Sequence, residues 1–204
     1  MILKSSPRGW HSRGYLPHFD GGSIPQSVTF RLADSLPKER LEGFENELAC
    51  LPEDKATARR RELIEAYLDL GSGHAWLRDP RLGQMVENAL LYFDGARYLL
   101  HSWVIMPNHV HALLTPAESF SLTQILHSWK SFTAKVANRV LGQSGRFWQE
   151  DYFDRYMRDD RHYFAAIEYI ELNPVGAGLC ERKEDWKFGS ARRREETEEI
   201  RNEL

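Results

Sequence analysis

Two histidines one residue apart, His109-Val110-His111, are the sharpest chemical feature of this 204-residue sequence. In an extended strand residues i and i+2 point to the same face, so two imidazoles would stand side by side as half of a metal site. An arbitrary pair of this kind is more often surface or hydrogen-bonded histidine, and it needs support from elsewhere. Support comes from Glu168-Tyr169-Ile170-Glu171-Leu172-Asn173-Pro174-Val175. Tyr169 and Asn173 are four apart and stack on one helical face. A phenol can attack, and an amide oxygen can bind a hard cation alongside two histidine nitrogens. The same residues also fit a plainer role, a tyrosine on the buried side of a helix and an asparagine that ends it.

The elements that must position these groups read as follows. Gln26 to Asp34 alternates, with Val28, Phe30 and Leu32 on one face and Thr29 and Arg31 on the other, which predicts a half-buried strand. Residues 38–70 predict a helical hairpin, carried by Leu41, Phe44 and Leu48 and then by Leu63, Ile64, Tyr67 and Leu68. A helix follows over Pro80 to Phe93, then two strands, Tyr98 to Met106 and His109 to Thr115, joined at Pro107-Asn108 as an antiparallel hairpin. Ser121 to Leu141 predicts a long helix with Ser121 as N-cap and Gly142 as its stop, and Trp129 and Phe132 in the core. Phe147 to Met157 is read as a strand, Asp159 to Asn173 as a helix closed by Pro174, and the charged tail from Arg192 as frayed. Residues 1–25 show no period and form an arm whose fold cannot be derived. The order of elements predicts an α+β domain, a central antiparallel β-sheet flanked by α-helices.

Composition bounds the function. With 27 Lys and Arg against 30 Asp and Glu, the formal net charge of -3 argues against a protein that coats nucleic acid through bulk charge. That deficit equals the local balance of residues 38–70, nine acidic against six basic, so the remainder is neutral. Cys50 and Cys180 are far apart and outside any CxxC pair, which removes a zinc ribbon or disulfide framework and fits a reducing cytosol. No apolar run approaches the ~20 residues of a membrane span and no signal peptide is read, so a soluble chain without a membrane partner is expected.

Four motifs in order, MPNHVHALL, LHSWKSFTAKVANRVLG, FWQEDYFDRYMRD and EYIELNPV, resemble those of the REP-associated tyrosine transposases, a branch of the HUH-type single-tyrosine transposases, over about residues 13 to 190. The resemblance implies the HUH fold of ferredoxin-like type and one catalytic domain. It implies that His109 and His111 ligate Mg²⁺ or Mn²⁺, that Asn173 is the third ligand, and that Tyr169 is the nucleophile. Tyr152 and Tyr156 fall in the predicted strand, and Tyr163 has Ile167 four residues on. The implied chemistry is nicking and joining of single-stranded DNA beside REP- or BIME-type hairpins through a 5′-phosphotyrosine, with a monomer favoured over a dimer.

Residues 127 to 161 carry seven Lys or Arg against five acids with aromatic rings between them, a pattern suited to phosphates and bases. Lys130, Arg146, Trp148 and Arg155 are the contact candidates there, with Arg13 in the arm, where Arg8, Trp10, His11, Tyr15 and His18 have similar chemistry. The glycine-threonine-tryptophan-like signature of the family's reading arm is replaced by Gly21-Gly22-Ser23-Ile24-Pro25. The acidic hairpin 38–70 reads as an accessory insertion for protein contacts, and 191–204 as a tail. Two rival functions are a domesticated protein that recognises repeat hairpins without cutting, and a histidine-triad nucleotide hydrolase, which needs a histidine where Leu113 stands.

Overall fold

The computed structural model describes residues 9–12 and 17–203. Its strands are β1 (Gly9–Ser12), β2 (Pro17–Asp20), β3 (Gln26–Arg31), β4 (Tyr98–Ile105), β5 (His109–Pro116) and β6 (Phe153–Tyr156). Its helices are α1 (Lys38–Leu48), α2 (Glu53–Asp69), α3 (Pro80–Leu91), α4 (Leu122–Leu141), α5 (Asp160–Gly176) and α6 (Ser190–Glu203). The main sheet runs β4-β5-β3-β6 with every neighbouring pair antiparallel, while β1 and β2 form a separate hairpin. This is the expected α+β architecture. No described helix is long and apolar enough to cross a membrane.

Alternation along β3 and β5 divides the sheet. Val28, Phe30, Val110, Ala112 and Leu114 turn to the main core with Leu82, Val86 and Leu90 of α3 and Leu122, Ile125, Leu126 and Trp129 of α4. Thr29 and Arg31 sit opposite His111 and His109 in the β3–β5 register, so these four share the other face. On that face α5 packs over β4 and β5. Next to it Ile64 and Leu68 of α2 bury against Leu36 and Phe153, and Phe153 of β6 pairs with Thr29. The histidines therefore lie between α2 and α5. Helices cover both faces, so all of β3 is buried rather than half of it.

Helix α4 begins with a capping box between Ser121 and Gln124 and ends at Gly142, whose φ of 64° is the left-handed conformation open to glycine. Its buried stripe continues from Trp129 to Thr133 and Ala137, one helical turn at a time, and Phe132, a quarter turn off that line, is 55% exposed rather than in the core. The predicted strand 147–157 is regular only over 153–156. Before it, Trp148 makes a single bridge to Leu32, and the Glu150 carbonyl turns to accept from Lys130 Nζ at 2.6 Å instead of joining the ladder.

Two further expectations fail. Pro174 does not close α5; it sits in the final turn, where the missing N–H removes one bond, and the helix continues to Gly176 with Ala177 N donating to Asn173 O at 3.0 Å. The tail does not fray but forms α6, because buried Glu171 of α5 accepts from Ser190 Oγ at 2.9 Å and pairs with Lys183 and Arg194. The same segment lines the outer edge of β4. Phe188 O accepts from Ile105 N at 2.9 Å, Ser190 Oγ from Trp103 N at 3.2 Å, while Trp186 Nε1 donates to Ile105 O at 3.0 Å and Arg194 to His101 O at 3.3 Å.

Candidate active site

The turn between β4 and β5 fixes the histidines. Asn108 is fully buried, and its amide nitrogen donates to Leu68 O at 3.1 Å and Ser72 O at 2.9 Å, just past the end of α2. Both amide protons being used on carbonyls, Asn108 Oδ1 faces His109 Nδ1 at 2.7 Å and can only accept, so Nδ1 carries the proton and Nε2 a lone pair. Thr29 Oγ1 lies 2.8 Å from His111 Nδ1. The same tautomer there leaves two Nε2 lone pairs 3.0 Å apart. Burial holds both rings below the usual imidazole range, His111 near 3 with a further push from Arg61, and His109 well down with a further push from His111. Both rings are neutral at pH 7, the form that ligates.

These donors fit a divalent cation. Two lone pairs facing each other repel, and two ligands at ~2.1 Å on adjacent octahedral positions of one ion stand roughly 3.0 Å apart, the separation of these nitrogens. Asn173 is buried, and its Oδ1 is one of two buried side-chain oxygens without a hydrogen-bond partner among the described residues. An orphaned amide oxygen of this kind is stabilised by a cation. No three His, Cys, Asp or Glu side chains among the described residues gather as a metal site, so the third donor of the set would be the amide.

Tyr169 stands one turn before Asn173, 39% exposed, its ring edge-on to His111 with centroids 5.6 Å apart. Burial pushes its phenol up from the ordinary range, and the carboxylates of Glu65 and Asp69 push it further. Tyr163, by contrast, is packed edge-on to His101 on the β4 side. The Tyr169 ring borders a cavity of about 530 Å³ between α2, β6 and α5, lined also by Arg61, Glu65, Arg155 and His162.

The second helix of the hairpin 38–70 forms one wall of this cavity. Arg61, Glu65 and Asp69 recur every four residues on one face of α2, beside the apolar pair Ile64 and Leu68. Arg61 Nε donates to Glu65 at 2.8 Å, and Asp69 Oδ1 is 3.7 Å from His109 Nε2. Burial, with the Glu65 charge beside it, raises the Asp69 carboxyl to about 6, an environment in which a cation would restore the ionised form. The acidic balance of the segment concealed this spacing.

The binding candidates separate into two places. Arg155 joins Tyr169 in its cavity, where burial, Arg61 and Arg158 lower its pKa. Lys130, Arg146 and Trp148 border a different groove of about 440 Å³, between α4 and residues 145–152. Burial lowers Lys130 to about 8 despite Asp151 and Glu150 nearby, and Arg146 reaches Glu150 at 3.4 Å. Trp148 is only 4% exposed, edge-on to Phe30, with its N–H donated to Thr133 Oγ1 at 2.8 Å, so its ring belongs to the core rather than to a stacking platform. Arg8, Arg13 and Tyr15 lie outside the described residues, and Trp10 and His11 lie in β1.

His18 links the two places. Its ring nitrogens meet Asp151 at 2.8 Å and Asp154 at 2.5 Å, and Asp151 borders the α4 groove while Asp154 borders the Tyr169 cavity. Burial disfavours its charge, but the two carboxylates prevail and raise it to about 9.

Residues 80–173 match the family model described as transposase, IS200-like, which takes in both histidines, Tyr169 and Asn173. A REP-associated tyrosine transposase of Escherichia coli K12 is 25% identical over 111 residues, covering 54% of this chain and 65% of that protein. A putative REP-associated tyrosine transposase of Haemophilus influenzae is 27% identical over 99 residues, covering 44% and 56%. The matched region is therefore under two thirds of these relatives' own length. The solved structure of a REP-associated tyrosine transposase bound to a REP hairpin shares the fold, with a TM-score of 0.53 and 17% identity over 90% of this chain and 82% of that one. The resemblance and the fold class expected from the motifs are borne out; α1, α2 and the β1–β2 hairpin lie outside the region that the family model matches.

Proposed function

We propose that this chain, with its IS200-like transposase region at 80–173, binds REP-type hairpin DNA and nicks and rejoins the adjoining single strand through Tyr169. One observation carries the reading: the His109 and His111 Nε2 atoms converge at 3.0 Å with the Tyr169 ring edge-on to His111, while Asn173, one turn further along α5, keeps a buried amide oxygen without a partner among the described residues. His109, His111 and Asn173 are the groups to hold Mg²⁺ or Mn²⁺. When bound there, such an ion offsets the charge that develops on the scissile phosphate.

Tyr169 Oη attacks phosphorus, forming a 5′-phosphotyrosine and releasing a 3′-hydroxyl. The phosphoester energy stays in the new bond, so a 3′-hydroxyl can attack it later and join strands without ATP. Arg61 and Arg155 face the cavity where the phosphates flanking the scissile one would lie, and Lys130 and Arg146 offer cations in the α4 groove for a second stretch of strand or hairpin. His18 ties the β1–β2 hairpin to both sites, which supports a role for the N-terminal arm in reading bases beside the DNA hairpin.

Incubation of the protein with end-labelled single-stranded REP-type hairpin DNA and Mn²⁺ tests the reading. A covalent adduct that survives denaturing electrophoresis, and that is lost in Tyr169→Phe and with EDTA, is expected. Tight binding with no adduct under Mg²⁺ or Mn²⁺ overturns nicking and leaves a protein that recognises repeat hairpins without cutting.

A further inference from the structure

We propose that Glu65 of α2, a helix outside the family-matched stretch, takes the proton from Tyr169 as the phenol oxygen attacks phosphorus. The inference rests on the nicking reading above. A nucleophilic hydroxyl needs an acceptor aligned with it, and the matched region offers none: His109 spends its Nδ1 proton on Asn108, His111 Nδ1 faces Thr29 Oγ1, and the two Nε2 atoms face each other at 3.0 Å.

The placement of Glu65 follows from how α2 is held. Ile64 and Leu68 are fully buried, and the Leu68 and Ser72 carbonyls are bound by Asn108, so the helix cannot turn without breaking the histidine hairpin's own anchor. That fixes the 61, 65, 69 face toward α5. Glu65 borders the same cavity as Tyr169, its side chain 14% exposed, and Arg61 holds its carboxylate at 2.8 Å, while its charge is among the causes that push the phenol up. The other groups facing Tyr169 are occupied or of the wrong kind. Asp69 lies at His109, Arg61 and Arg155 are cations, His111 belongs to the ligand set, and His162 Nδ1 accepts from Arg158 N at 3.4 Å. Glu62 points outward to Arg59 and is 64% exposed.

In the step, the O–H bond of Tyr169 breaks as its oxygen bonds phosphorus, and the proton goes to the Glu65 carboxylate. The bond from phosphorus to the 3′-oxygen breaks with its electron pair, and that oxygen takes a proton from water. In rejoining, an incoming 3′-hydroxyl gives its proton to water as its oxygen bonds phosphorus, the phosphorus–tyrosine bond breaks with its electron pair, and protonated Glu65 returns the proton to the phenolate oxygen.

Single-turnover adduct formation on the hairpin strand, with Mn²⁺ saturating, tests this. Glu65→Gln keeps the size and the Arg61 contact but cannot accept a proton; the rate is expected to fall by about 10²–10⁴ with DNA binding unchanged. Glu65→Ala opens space in the cavity, and added formate is expected to restore adduct formation by roughly tenfold or more where chloride at equal ionic strength does not. A Glu65→Gln rate at or above that of the wild type overturns the assignment, as does a Glu65→Ala protein that keeps its thermal melting and DNA binding yet is indifferent to formate. No adduct from the wild type overturns the nicking reading, and this inference with it; an adduct from the wild type with those variant results overturns the inference alone.

Discussion

Thr29 and Phe30 are neighbours on one strand and look into two different chemistries. Phe30 enters a core where the polar atoms are matched among themselves: Tyr98 Oη donates to Leu90 O at 2.6 Å and accepts from Trp129 Nε1 at 2.9 Å. Thr29 enters a face where the two Nε2 atoms meet each other at 3.0 Å and where α5 carries buried Asn173, whose Oδ1 has no partner among the described residues. The first face closes its own accounts with other residues of the chain; the second is complete only with something added. A buried polar atom without a partner is costly, and one kept beside two neutral imidazoles is suited to a ligand.

Breaking each face separately sharpens this contrast. The largest effect is expected from Tyr169→Phe, which should abolish the covalent adduct while changing stability by less than about 1 kcal/mol, measured by denaturant unfolding. On the closed face, Phe30→Ala should destabilise by about 3–5 kcal/mol in the same measurement. Loss of activity without loss of stability in the second variant would erase the distinction between the faces.

Intermediate effects belong to the seam and the support of the open face. Because the folded-state pKa of His18 lies above 6.5, its triad with Asp151 and Asp154 stabilises fully below about pH 6.5 and loses that contribution as pH rises through about 9. The loss should be on the order of 2–3 kcal/mol, read as the difference between wild type and His18→Gln in unfolding at pH 6 and pH 10. Equal differences at the two pH values would refute it. Thr29→Val should weaken Mn²⁺ binding by about 10–100-fold in calorimetry, by freeing the His111 ring, with far less loss of stability than its neighbour's truncation. Smallest of all, Phe132→Ala on the outer side of α4 should stay within about 0.5 kcal/mol of wild type.

Most of the strands and helices were legible because they carry local signals: alternation in β3, a capping box at Ser121, a glycine stop at Gly142. The pair His109 and His111 was legible for the same reason, since strand geometry alone puts the two on one side. Other features depend on contacts made far along the chain. Nothing local shows that the Asn108 amide reaches the end of α2, that Glu171 would hold the charged tail as a helix, or that His18 would lie between two aspartates. Arg61, Glu65 and Asp69 were readable as a helical row, but the segment was read through its acidic balance as an accessory insertion. Trp148 and Phe132 exchanged their expected roles because one aromatic ring on a helix and one in a loop cannot be told apart by composition; only the path of residues 145–152 decides which is covered.

The segment from Trp186 to Arg194 has a consequence for association. An edge strand normally shows a row of free amides and carbonyls, a template on which another chain's strand can add. Along β4 those groups at His101, Trp103 and Ile105 are already bonded to the chain's own later residues. Gly83 of α3 belongs to the same arrangement, since a methyl group there would meet the Phe188 ring at 2.4 Å. This side of the sheet is sheathed against recruitment by a neighbouring molecule, and loosening the sheath, by a bulkier residue at 83 or by loss of the Ile105 contacts, would uncover a sticky margin that the folded chain keeps closed.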